Sequence, residues 1–128
     1  MINQTERWWA YHTKNPEVYD TFVDMAMEAF RLGRTRIGAW LIFQAMRWNN
    51  LKTTGEDFRY PNGFIALYAR YFLINHPEFL VIHDNHIGRR GLPFFELRPM
   101  IDDPFADRLR ELTDIQNLVW EHTKVEAA

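Results

Sequence analysis

Apolar residues recur at helical spacing in several blocks of this chain, and each block is bounded by residues that start or stop helices. That punctuation restricts the fold more than any other feature. Asn15-Pro16 is a strong start, because Asn can cap free backbone donors and Pro at the first helical position gives up no hydrogen bond. Val18, Phe22, Met25, Ala26 and Ala29 follow on one face, and Gly33 is placed to end the helix in a left-handed turn. Thr35 is expected to cap a second helix that buries Ile37, Leu41, Ala45 and Trp48, with Trp40 beside them. Arg47 near its end would complement the helix dipole. Asn49-Asn50 and Gly55 break that pattern.

Asn62, after Pro61, is a candidate cap for a third helix carrying Phe64, Ile65, Tyr68, Tyr71 and Phe72 and ending near Asn75-His76-Pro77. Asp102-Asp103-Pro104 opens a last helix with Phe105, Leu109, Leu112 and Val119 on its buried side. Residues 4–13, with Trp8, Trp9 and Tyr11, predict a short helix lying on the core.

Between these blocks lie β-favouring runs. Phe58-Arg59-Tyr60 is long enough for one edge strand. Phe79-Leu80-Val81-Ile82 and Pro93-Phe94-Phe95-Glu96-Leu97 flank a polar, Gly-containing, basic segment and together predict a β-hairpin with a long tip. The expected fold is therefore mainly α with a small β-hairpin (α+β). It is a winged-helix-like three-helix unit with a hairpin wing plus a C-terminal helix.

A length of 128 residues suits one domain over 1–128 and one core, and no linker-like stretch divides it. There is no cysteine, so disulfides, thiolate metal sites and cysteine nucleophiles are excluded, and a cytoplasmic setting is expected. The first seven residues lack the apolar core of a signal peptide, and no apolar run approaches the roughly 20 residues needed to span a bilayer. No membrane partner is expected.

Several patches together resemble a family of small, largely uncharacterised bacteriophage and prophage proteins. They are Asn15-Pro16-Glu17-Val18-Tyr19 with Phe22, Arg47-Trp48-Asn49, and Tyr68-Ala69-Arg70 with Phe72. His76-Pro77-Glu78-Phe79 and Phe94-Phe95-Glu96-Leu97-Arg98 complete the set. Residues 80–92 look inserted relative to that pattern. The resemblance implies a bacterial host cell as the setting and no defined activity.

Charge divides the chain into three parts. Residues 31–100 hold ten Lys/Arg against five Asp/Glu, while residues 1–30 and 101–128 are both acidic. A positive centre suggests a nucleic-acid-facing surface. In a winged helix the third helix enters the major groove and the wing reaches phosphate or the minor groove. The candidate duplex-DNA contacts are Arg59, Asn62, Arg70, Tyr71, Arg89 and Arg90, with His83, His86 and Arg98 near them in sequence. Arg70 has the alternative of pairing with a carboxylate such as Asp20 or Asp24. The third helix holds Arg70 as its only Lys/Arg, so DNA binding would release few counterions and would be weak or need a homo-oligomer.

Catalysis is not expected. The chain contains no serine and no Walker-type phosphate loop. His83 and His86 with Asp84 lack the further ligands of a stable zinc site, so no metal or other cofactor is expected. Asn85-His86 followed by Asn117 and His122 is a faint echo of an HNH nuclease, with Asn in place of the leading Asp and a long separation. Glu56-Asp57 and Asp102-Asp103 are placed for turns and caps.

Aromatic residues make up 16% of the chain, more than a core of this size requires. Trp, Tyr and Arg are the usual anchors of protein interfaces. Trp8, Trp9, Tyr11, Tyr60 and Phe64 are therefore candidates for a protein interface. The alternative function is a protein-interaction module that binds and inhibits a bacterial host or defence factor. The bland alternative for the N-terminal aromatics is that they staple the first helix to the core.

Overall fold

The computed structural model describes residues 3–82 and 91–127, with side chains placed up to residue 122. Five helices follow in order: α1 (Gln4–Lys14), α2 (Pro16–Arg31), α3 (Ala39–Thr54), α4 (Asn62–Asn75) and α5 (Ala106–Ala127). A 3-10 turn over Pro77–Phe79 follows α4.

Helix α4 is the centre of the bundle, packing against α1, α3, α5 and the 3-10 turn. Its apolar residues point in every direction, and Ile65, Leu67, Tyr68, Ala69, Phe72 and Leu73 are all buried. A helix that is apolar all round belongs in an interior. In the expected winged helix this element stood at the surface; here it is the interior helix of the bundle.

Among the described residues there is no strand, so the winged-helix arrangement with a hairpin wing is not formed. Phe58-Arg59-Tyr60 is irregular backbone rather than an edge strand. The expected hairpin arms meet at one antiparallel bridge, Ile82 with Leu92. Beyond it, Phe95 makes a parallel bridge with Ile37, and the Phe94 N–H donates to the Phe79 carbonyl. The reason lies in the side chains. Phe94 and Phe95 are consecutive and both fully buried, whereas a one-sided strand sends neighbours to opposite faces. Both rings plug the bundle, Phe95 against Phe22 and Phe72, Phe94 against Phe79. The expected wing tip, residues 83–90, lies outside the described residues.

The helix ends follow local chemistry with small displacements. Gly33 (φ 99°) and Gly55 (φ 77°) stop α2 and α3 in the left-handed region. The Asn15 side chain closes α1 by donating to the Tyr11 carbonyl at 3.0 Å and does not cap α2. Thr35 caps nothing, since α3 begins at Ala39 after Gly38. At the other end Asp103 takes the capping role before α5, its Oδ1 accepting from the Phe105 N–H at 2.8 Å.

Helix α3 differs most from expectation. Its buried residues are Ala39, Ile42, Phe43 and Met46, while Leu41 and Trp48 face solvent. The run Trp40-Leu41-Ile42-Phe43 is apolar on both sides of the helix, so periodicity alone could not select the inner face. Arg47 serves the loop beyond the helix: it is bound by two hydrogen bonds to Asp57, the Nη2 to Oδ2 bond measuring 2.6 Å.

Candidate functional site

A cleft of about 670 Å³ opens between the N-terminal ends of α3 and α4 and the segment 96–100. Gly38 to Leu41 form one wall, and Asn62, Ile65, Ala66 and Ala69 form a second. The third is Glu96 to Met100. The lining is mainly apolar, and two of its large side chains stand in water. Trp40 is 59% and Leu41 55% exposed, whereas the next two residues, Ile42 and Phe43, are 4% and 0% exposed. Ile101, just beyond the third wall, is 92% exposed.

Arg70 also lines this cleft, and it is only 4% exposed. Its Nε donates to Asp103 Oδ2 at 2.6 Å, Nη2 to the Arg98 carbonyl at 2.6 Å and Nη1 to the Ala66 carbonyl at 3.2 Å. Asp103, not Asp20 or Asp24, is its partner. All three nitrogens of this buried guanidinium are engaged within the fold. The pair instead ties the entrance of α5 to the centre of α4 and fixes the 98–100 wall.

The other candidate DNA contacts are dispersed. Arg59 is exposed beside Asp57, Asn62 is exposed at the mouth of the cleft, and Tyr71 is half-buried among rings. Arg89 and Arg90, like His83 and His86, lie outside the described residues. The candidate interface residues divide differently. Trp8 is fully buried, and Tyr11, Tyr60 and Phe64 pack on the core. Tyr11 stacks on Phe58, and Tyr60 meets Phe43 and Phe58 edge-on. These side chains staple α1 and the 58–60 loop to the bundle. Trp9 alone of the set is substantially exposed, at 46%.

The same cluster encloses His12. Its ring has the rings of Trp8, Trp9, Tyr19, Tyr68 and Tyr71 at centroid distances of 5.3–6.0 Å. Burial lowers its pKa below the ordinary 6.5, against an opposing pull from Asp20. Burial likewise raises the Tyr68 phenol. The Trp8 Nε1, His12 Nδ1 and Tyr68 hydroxyl are buried with no hydrogen-bond partner among the described residues. The imidazole thus sits among five aromatic rings, with the Asp20 carboxylate near enough to pull on its charge.

Sequence reasoning missed Trp40 and Leu41 as surface residues. The available signal was the four-residue apolar run at the start of α3, which goes once round the helix and so exceeds a single buried face.

No protein family model, no curated protein and no solved structure matches this chain.

Proposed function

We propose that this chain is a non-catalytic protein-interaction module that takes a partner segment into the cleft between α3, α4 and residues 96–100. The observation that carries this reading is the exposed pair Trp40 and Leu41 on the wall of an open, mainly apolar cleft. Exposing two large apolar side chains side by side costs solvation that a partner recovers, and Trp is among the residues enriched as anchors of such contacts. That the partner is a bacterial protein, and that binding inhibits it, rests on the phage-like sequence patches alone. Duplex DNA is the weaker reading, because the Arg70 guanidinium is occupied within the fold.

The test places a photo-crosslinking amino acid at Leu41 in the full chain, expressed in bacteria. A light-dependent adduct with one defined protein, lost when Trp40→Asp is added, is the expected result. Crosslinks that ignore Trp40→Asp overturn the proposal. So does duplex-DNA binding by the purified protein with a log–log salt slope of several units, which would restore the nucleic-acid reading.

A further inference from the structure

The cleft has a sign as well as a shape, and this inference rests on the interaction reading above. Helices α3 and α4 both begin at the cleft, the first through Gly38 to Leu41 and the second through Asn62. Neither N-terminus has a side-chain cap, and neither has an acidic residue in its first turn. By contrast Asn3 caps α1 and Glu6 sits in its first turn, and Glu17 does so in α2. Each helix N-terminus carries roughly half a positive charge on its unpaired N–H groups. Two such ends therefore converge on one apolar opening.

The side chains add to this. Arg98 lies on the third wall, exposed, and its guanidinium has no carboxylate partner among the described residues. Glu96 is the only carboxylate in the lining, and it faces Arg36 at 3.7 Å. Arg70 is matched by Asp103. The unmatched charge of the cleft is thus positive, from Arg98 and the two helix ends.

We infer that the occupant is an acidic, amphipathic segment of a partner protein. Its apolar side chains cover Trp40, Leu41 and Met100, and a carboxylate accepts from the free N–H groups at the start of α3 or α4 and from Arg98. An apolar segment of basic character would leave these donors unpaired and bring like charges together, which selects against it.

The experiment pans a randomised peptide library, displayed on yeast, against the full-length protein, and repeats the selection with Trp40→Asp and with Arg98→Glu. The expected peptides combine Asp or Glu with large apolar residues. Enrichment falls at least tenfold with Trp40→Asp, and Arg98→Glu shifts the enriched charge toward Lys and Arg. Neutral or basic peptides that still depend on Trp40 would overturn the acidic occupant while leaving the cleft as the docking site. Peptides indifferent to Trp40→Asp, or no enrichment at all, would overturn the cleft itself. Peptides matching the acidic, apolar stretch of α5 would identify a second copy of this chain as the acidic partner, and a concentration-dependent dimer lost with Trp40→Asp would support that form of it.

Discussion

Arg70 in the middle of α4 and Asp103 before α5 form a nearly buried ion pair, Nε to Oδ2 at 2.6 Å, and the second oxygen of the same carboxylate caps the turn into α5. Residues 33 apart are joined in this way, and the carbonyl of Arg98 is drawn into the same arrangement. The pair decides two matters at once. It positions the last helix, and it withdraws the one cation of α4 from the surface.

Removing one member of such a pair leaves the other buried and uncompensated. Asp103→Ala is expected to destabilise the fold by about 3 kcal/mol, at the lower end of the range for broken buried pairs because Asp103 is partly exposed. Urea unfolding followed by circular dichroism checks it. A midpoint within error of the parent, at equal m-value, would show that the pair contributes nothing.

Neighbouring residues of α3 are expected to behave oppositely. Phe43→Ala removes a fully buried ring and should cost roughly 3–5 kcal/mol, while Trp40→Ala should change stability by no more than about 0.5 kcal/mol. The same unfolding assay reads both. A Trp40→Ala loss comparable with that of Phe43→Ala would make Trp40 a core residue and remove the basis of the docking proposal.

Stability should fall as the solution is acidified through the histidine range. Because burial lowers the His12 pKa in the fold, the unfolded chain binds the proton more readily. The contribution of His12 is therefore fully present above pH 6.5 and is lost as pH falls below 6.5 toward its folded pKa. Melting temperatures at pH 7.5 and 5.5 should differ more for the parent than for His12→Phe. An equal difference in the two proteins would rule out His12 as the titrating group.

Gly55 stops α3 with φ 77°, and nothing lies within 4 Å of where a Cβ would stand. Gly55→Ala is thus a clean measure of backbone strain and should cost about 1 kcal/mol. Replacement by D-alanine through chemical ligation should cost nothing or stabilise. Tolerance of L-alanine without loss would mean that the left-handed turn is not required.

The chain's own order of residues was enough for the helices. Asn15-Pro16, Gly33, Gly55, Pro61 and Asp103 act within a few residues of themselves, and short-range steric and hydrogen-bond preferences set the five helices almost wherever the punctuation placed them. What local preference cannot decide is which apolar surface goes inside. Trp40-Leu41-Ile42-Phe43 offers two equivalent faces, and only contact with α2 and α4 selects Ile42 and Phe43. Phe94-Phe95 reads locally as strand, yet the demand for bulk against Phe22, Phe72 and Phe79 takes both rings inward and leaves no strand there. Arg70 reads as a surface cation until Asp103 meets it from a distant part of the chain. Burial and charge pairing are sums over the whole packed molecule, so the cleft, its exposed Trp40 and its unmatched positive charge came into being only with the tertiary arrangement.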